Sequence, residues 1–274
     1  MDDGKFNKKN NSIIKKMENL KEKATRFLNR LETELELTPP LVTVLNYHTV
    51  SSDGTIVDIK PEEFARQIQY LAESFQLITL DQVVAHINDE SVITKPSVAL
   101  TFDDGYADLM PNVAPILRKH NIPATVFLMS DRKKVSRDEL ENNKKLLTTS
   151  QVKRLVRFGW SVGSHTATHP DLRSKSIDLV KEITNSKHAL EKAIGVSVQY
   201  LAYPKGVYTR RAILEAQRAG YKAAFTVSPK YLNTKTKCFE VPRVSVDRTH
   251  SMKEFKAFFT NWGRSYLVIK QKIK

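Results

Sequence analysis

From residue 41 onward, short apolar runs alternate with longer amphipathic stretches. Continuous apolar runs bounded by polar turns indicate buried strands, whereas apolar residues that recur every three to four positions indicate helices. This pattern predicts strands at 41–47, 97–102, 124–129, 160–163, 200–203, 222–227 and 241–246. The predicted helices lie at 61–75, 108–120, 150–158, 176–194, 209–219 and 251–262.

Regular alternation of strands and helices is typical of an α/β fold, in which parallel strands are covered by helices. Seven or so such units suit a barrel near the size of a (β/α)₈ barrel, in an incomplete form. An open doubly wound sheet is the alternative. With 274 residues, the chain is long enough to bury a sizeable core in either arrangement.

The first 40 residues follow a different pattern, which predicts an N-terminal amphipathic helix ahead of a main domain over 41–274. Their apolar residues recur at alternating spacings of four and three: Ile13, Met17, Leu20, Ala24, Phe27 and Leu31. Pro39 and Pro40 would end the helix, because proline lacks the N–H and clashes with the preceding turn. We expect this helix to pack on, or be tethered to, the main domain; a coiled coil and a membrane-surface helix are the alternatives.

Composition and charge narrow the function classes. The single cysteine, Cys238, excludes an internal disulfide and a cysteine-rich metal site. No apolar run is long enough to span a membrane, and the N-terminus does not resemble a secretory signal. The net charge of +14 is either a solubilising surface or an attraction to an anionic membrane or cell-wall surface. Without a helix-turn-helix, zinc finger or phosphate loop, nucleic acid is not expected as a partner.

Ionisable and turn-forming residues cluster where predicted strands end. His48, Asp103 with Asp104, His165, and Tyr203 with Pro204 each follow a different strand. The carboxyl ends of barrel strands form one face of the molecule, and that face carries the active site in barrel enzymes. We therefore expect these side chains to meet.

The residue types indicate a metal site. One carboxylate from Asp103–Asp104 and the imidazoles of His165 and His169 would make an open zinc site with a position left for water. The second carboxylate could then act as a base. Thr166 stands where a His-Glu-x-x-His protease would have its glutamate, so a protease site is disfavoured. Taken alone, Asp-Asp-Gly is also the composition of an ordinary polar turn.

Together these motifs resemble the polysaccharide deacetylase (NodB-homology) family, carbohydrate esterase family four. The resemblance rests on Thr-Phe-Asp-Asp-Gly at 101–105, His-Thr-Ala-Thr-His at 165–169 and Tyr-Pro-Lys-Gly at 203–206, and it spans roughly residues 41–260. It implies a distorted (β/α)₇ barrel that hydrolyses N-acetyl groups and releases acetate.

The resemblance also implies roles for individual residues. Asp104, His165 and His169 would hold a divalent metal, usually Zn²⁺ and otherwise an ion such as Co²⁺ or Ni²⁺. Asp103 would be the general base. Tyr203 and Pro204 would shape the sugar pocket, with the Tyr203 N–H as an oxyanion donor.

Two departures from the family pattern leave alternatives open. The usual C-terminal acid histidine is not evident, and Val44–His48 resembles the poly-N-acetylglucosamine deacetylase branch, in which the acid histidine comes first. We therefore expect His48 to be the general acid, with His250 as the competitor. Ala202 stands where the family often has a base-orienting arginine, and Arg243 could substitute for it.

The expected function is the N-deacetylation of a β-linked N-acetylglucosamine polysaccharide, with poly-N-acetylglucosamine favoured. Peptidoglycan, chitooligosaccharides and acetylated xylan are alternative substrates. A carbohydrate-binding protein that has lost catalysis is the alternative from another class. The resemblance implies an extracytoplasmic or cell-surface location.

Overall fold

The computed structural model describes residues 42–52, 55–134, 144–228, 230, 232–233 and 235–260, together with Lys23 and Gly263. The helix predicted over residues 1–40 lies outside the described residues except for Lys23, so the division of the chain near residue 40 stays a prediction.

Ten short strands, all in parallel pairings, form the sheets of the described chain. They are β1 (Val42–Tyr47), β2 (Thr49–Val50), β3 (Asp58–Ile59), β4 (Gln76–Leu77), β5 (Ser97–Phe102), β6 (Ala124–Leu128), β7 (Ser161–Ser164), β8 (Tyr200–Ala202), β9 (Ala223–Phe225) and β10 (Val244–Ser245). The main sheet has the order β10-β1-β5-β6-β7-β8-β9, with β4 beside the first half of β5. β2 pairs only with β3.

The two edges of the main sheet are brought together by one short segment. β10 pairs with β1, while Val241, just before it, forms a parallel bridge with Phe225 of β9. The sheet therefore curls into a distorted (β/α) barrel of seven strands, which confirms the predicted fold class. An open doubly wound sheet would leave both edges apart.

Seven helices are described. They are α1 (Pro61–Ser74), α2 (Leu80–Ile87), α3 (Ala114–Lys119), α4 (Thr149–Arg157), α5 (Ser186–Ile194), α6 (Arg210–Arg218) and α7 (Met252–Ala257). Turns of π-helix precede α3 at Leu109–Val113 and α5 at Val180–Asn185. Both predicted helices at these places are thus shorter in regular α form than expected. None of the described helices has the length and apolar character required to cross a membrane.

Helix α2 is absent from the helices that we predicted, although its start carries a recognisable signal. The Thr79 side chain accepts from the backbone N–H of Gln82, and the Gln82 side chain reaches back to the Thr79 N–H. This reciprocal pair is a capping box. Leu80, Val83 and Val84 pack with the inward-facing strand residues, so α2 covers the end of the barrel opposite the strand C-termini.

Candidate active site

The carboxyl ends of the strands place a polar layer above an apolar barrel interior. Successive side chains of a strand point to opposite faces. In β5, Ala99 belongs to the interior cluster, and Thr101 and Asp103 follow it on the same face. In β1, Asn46 follows the interior residue Val44 in the same way. Both strands thus carry apolar residues inside the barrel and polar ones toward their carboxyl ends.

Arg243 joins this polar layer from the segment that closes the barrel. Its Nη1 and Nη2 atoms donate to the two carboxylate oxygens of Asp103, each at 2.7 Å. Nη1 also lies 3.1 Å from Thr101 Oγ1 and 3.3 Å from Asn46 Oδ1. The guanidinium stands over the Phe127 ring, 5.1 Å from its centroid. Arg243 is fully buried, so this bidentate pair is shielded from water.

The charge state of Asp103 follows from that pairing. Burial by itself would raise the pKa of Asp103, because a charged carboxylate loses hydration. The positive charge and hydrogen bonds of Arg243 outweigh burial and hold the pKa well below its usual range. Asp103 is therefore an anion at neutral pH, as a general base must be.

The Asp104 side chain does not point the same way as that of Asp103, because the chain turns sharply after β5. Its φ is +65°, and Gly105 follows with φ +71°. A Cβ on Gly105 would lie 2.2 Å from Leu128 Cδ2, so both the turn and the close approach require glycine there. A non-glycine residue in the left-handed region is uncommon and concentrates at functional sites.

The two histidines come from the loop after β7 and face Asp104. Asp104 Oδ1 lies 3.6 Å from His165 Nε2 and 3.9 Å from His169 Nε2. One ligand atom from each of the three residues lies within 4.8 Å of the others. Ligands about 2.1 Å from a tetrahedral zinc would stand roughly 3.4 Å apart. The two Asp–His distances are near that value, so the three residues fit a divalent ion once the two imidazoles move closer together.

The protonation of His165 suits a metal ligand. Its Nδ1 lies 2.7 Å from the carbonyl oxygen of Ala202, a contact that places the proton on Nδ1 and leaves Nε2 with a lone pair toward Asp104. Burial lowers the pKa of His165 to about 3, so the imidazole is neutral. A neutral imidazole is the form that binds metal ions.

His48 and His250 occupy different environments. His48 follows β1 and is close enough to Asp103, Arg243 and His169 for their charges to act on it. Burial lowers its pKa, and Asp103 acts in the opposite direction. His250 Nδ1 instead lies 3.0 Å from Asp247 Oδ1, and its ring packs edge-on against Phe258.

His250 also lines a groove of about 740 Å³. The groove runs beside the segment that follows His48, and its lining includes Ser51, Ser52, Asp247 and Arg248. His48 thus lies at the Asp103–Arg243 pair, and Asp247, which contacts His250, also acts on His48.

Tyr203 differs from the expectation in its backbone N–H, and the role of Pro204 stays a prediction. The Tyr203 side chain is fully buried, and its hydroxyl donates to the Phe239 carbonyl at 3.1 Å. Its backbone N–H, expected as an oxyanion donor, donates to the Phe225 carbonyl at 2.9 Å as part of the sheet. Pro204 is buried in a 3₁₀ turn. Both residues therefore form part of the barrel wall, and the Tyr203 N–H is engaged in a hydrogen bond of the sheet.

Sequence reasoning missed one acidic residue at the site. Glu182 lies in the π-helical turn before α5 and is buried against the loop that carries the two histidines. A glutamate within a helical pattern ordinarily indicates a solvated face, so no local signal identified it. Asn46 and Thr101 were detectable in principle as polar residues inside apolar strands.

Comparisons with known proteins identify relatives of this chain. The family model "Polysaccharide deacetylase" matches residues 91–224. The poly-beta-1,6-N-acetyl-D-glucosamine N-deacetylase of Staphylococcus epidermidis is 27% identical over 244 residues, covering 80% of this chain and 82% of that protein.

Solved structures show the same fold. The deacetylase PplD of Streptococcus pyogenes, solved with acetate, superposes with a TM-score of 0.69 at 25% identity. The match covers 82% of this chain and all of that one. IcaB of Ammonifex degensii superposes with a TM-score of 0.65 at 22% identity, over 82% of this chain and 97% of its own.

Proposed function

This chain belongs to the polysaccharide deacetylase family, and on that premise we propose that it is a metal-dependent N-deacetylase of poly-β-1,6-N-acetylglucosamine. The observation that carries the proposal is the pairing of a buried, arginine-held carboxylate with an Asp-His-His cluster at the same end of the barrel. A base next to a site for a divalent ion is an arrangement that catalyses the hydrolysis of amides.

Asp104, His165 and His169 would hold the ion, with Zn²⁺ the first candidate and Co²⁺ or Ni²⁺ as alternatives. At such a site a divalent ion supplies polarisation of the acetyl carbonyl and a lower pKa for the attacking water. Asp104 contributes a negative charge and the histidines contribute neutral donors, a common ligand set for zinc.

Asp103 is the proposed general base. It takes the proton of the water that attacks the acetyl carbon, and Arg243 holds both carboxylate oxygens in place while it does so. The lone pairs that Arg243 does not use remain available on each oxygen. Because Arg243 is buried among Asn46, Thr101 and Phe127, the base is fixed before substrate arrives.

His48 is the proposed general acid. When the bond between the acetyl carbon and the sugar nitrogen breaks, the leaving amine must gain a proton. Nδ1 of His48 is buried and has no hydrogen-bond partner among the described residues. His48 as a residue is only partly buried, and the charge of Asp103 acts to raise its pKa, the direction that favours the protonated form an acid needs. The products are acetate and a free glucosamine amine.

The choice of polymer is supported by the relatives. The Staphylococcus epidermidis relative is named for poly-beta-1,6-N-acetyl-D-glucosamine, and the PplD deacetylase was solved in complex with acetate. We further propose an extracytoplasmic site of action, where the basic protein meets an anionic membrane or cell-wall surface and acts on biofilm polysaccharide.

The test is acetate release from four acetylated substrates: poly-β-1,6-N-acetylglucosamine oligomers, chitooligosaccharides, peptidoglycan and acetylxylan. We expect the first to be turned over fastest, with activity abolished by a chelator and restored by Zn²⁺ or Co²⁺. Preference for another polymer would contradict the substrate assignment. No release from any of the four, with carbohydrate binding retained, would favour a non-catalytic carbohydrate-binding protein.

A further inference from the structure

We propose that Glu182 is a positioning residue that holds the loop of residues 165–169 in its metal-binding conformation. This inference rests on the proposed metal dependence, and it concerns a residue outside the three candidate ligands. Glu182 does not lie on the loop; it reaches the loop from the π-helical turn before α5.

The carboxylate of Glu182 is occupied entirely by this loop. Its Oε2 accepts the backbone N–H groups of Ala167 at 3.0 Å and Thr168 at 2.8 Å, and its Oε1 accepts the Thr168 hydroxyl at 2.9 Å. Glu182 is 4% exposed, and no lysine, arginine or histidine of the described chain pairs with it. A buried carboxylate is costly unless hydrogen bonds replace its hydration, and here the loop supplies all of them.

The loop needs such support because its backbone is strained at two positions. Thr166 has φ +67° and His169 has φ +61°. The left-handed region is unfavourable for residues with a Cβ, and especially so for β-branched threonine. Such conformations persist only where the surroundings over-determine them. The N–H groups held by Glu182 lie between these two residues.

The two histidines depend on Glu182 to different degrees. His165 is fixed independently, because its N–H donates to the Leu128 carbonyl at 2.8 Å and its Nδ1 contacts the Ala202 carbonyl. The His169 N–H donates to the Thr166 hydroxyl at 3.1 Å, a group of the strained loop itself. Loss of Glu182 should therefore displace His169 and leave His165 in place.

The experiment measures Co²⁺ and Zn²⁺ affinity of the full chain, freed of metal beforehand, by competition with a chromophoric chelator. Glu182→Ala removes all three hydrogen bonds. Glu182→Gln removes the charge, but its amide oxygen can still accept the two N–H groups while its NH₂ donates to the Thr168 hydroxyl. Glu191→Gln is the matched control, because Glu191 lies on α5 and bonds Lys187 and the Val198 N–H instead of the loop.

We expect Glu182→Ala to weaken metal binding by about 10- to 100-fold, the range seen when partners of metal ligands are removed. Glu182→Gln should lose about 3- to 10-fold, because hydrogen bonds to a neutral amide are weaker than those to a carboxylate, and Glu191→Gln should bind as the wild type does. The Co²⁺ absorption spectrum of Glu182→Ala should also change, since the His169 donor moves. At saturating metal, Glu182→Gln should recover most of its turnover, because Asp103 and Arg243 are untouched.

Equal metal affinity and an unchanged Co²⁺ spectrum in all the variants would overturn the role of Glu182 and leave the proposed function standing. A wild-type protein that releases acetate without binding metal would overturn both this inference and the metal step. If Glu182→Ala does not fold, Glu182→Gln decides: affinity equal to Glu191→Gln, with an unchanged spectrum, contradicts the proposal.

Discussion

The two adjacent carboxylates of the site are held by opposite means. Asp103 extends the regular β5 strand and is fixed by a side chain 140 positions away, through the bidentate pair with Arg243. Asp104 lies one residue later in a left-handed turn and faces two histidines on a loop that is itself strained. Charge pairing fixes the proposed base, whereas backbone conformation fixes the proposed metal ligands.

This difference predicts how each half responds to change. The base half carries its own counter-charge inside the barrel, so it is complete before any ion binds. The metal half brings a carboxylate and two neutral imidazoles together at distances slightly longer than coordination requires. We therefore expect the base half to be rigid in the metal-free protein and the metal half to tighten when an ion binds.

The largest effect is expected from exchanging the two carboxylates separately for amides. Asp104→Asn should lose both metal binding and turnover, because the charged ligand is removed. Asp103→Asn should keep the metal and lose turnover by about 10³- to 10⁴-fold, the upper range for a general base. Metal affinity is measured by competition with a chelator and turnover by acetate release, both on the same two variants. An Asp103→Asn protein with substantial turnover would show that this carboxylate is not the base.

A smaller loss is expected at the proposed acid. His48→Ala should reduce turnover by about 10²-fold, since solvent can partly replace the proton donor. His250→Ala is the comparison variant and should lose much less activity, because the contacts described for His250 are with Asp247 and Phe258 and not with Asp103 or Arg243. Acetate release at saturating substrate distinguishes the two. The reverse result, with activity lost only in His250→Ala, would transfer the role to His250.

The last predicted effect concerns the stability of the fold instead of turnover, and it depends on pH. In the metal-free protein, Arg243→Met should unfold about 3–5 kcal/mol more easily at pH 7, because it leaves the buried Asp103 charge without its partner. In the wild type the pKa of Asp103 is lower than in the unfolded chain. Ionised Asp103 therefore contributes fully to the free energy of unfolding above about pH 4, and this contribution is lost as the pH falls further.

In Arg243→Met, burial should instead raise the pKa of Asp103 above its unfolded value, so protonation relieves the destabilisation on acidification. The gap in unfolding free energy between the two proteins should accordingly narrow from pH 7 toward pH 4. Denaturant unfolding in the presence of a chelator measures it. A gap that is constant with pH would mean that the Asp103–Arg243 pair is not its source.

Much of the fold was predictable because its signals are local. The apolar runs at 97–102 and 124–129 marked β5 and β6 to within one residue. Helix α2 was not predicted, although the Thr79–Gln82 capping box marks its N-terminus. The π-helical turns before α3 and α5 were not predictable, since they depend on how the helices meet the barrel.

The candidate site also has a part that local signals predicted and a part that depends on the tertiary structure. By itself the sequence determined the chemical types of the donors, their order, and their place at the ends of strands, because strand periodicity and residue type are properties of short segments. Only the tertiary structure decided that Arg243 binds Asp103, that Glu182 supports the histidine loop, and that the Tyr203 N–H is engaged in the sheet. Those pairings join residues far apart in the chain, and closure of the barrel is what brings them within hydrogen-bonding distance.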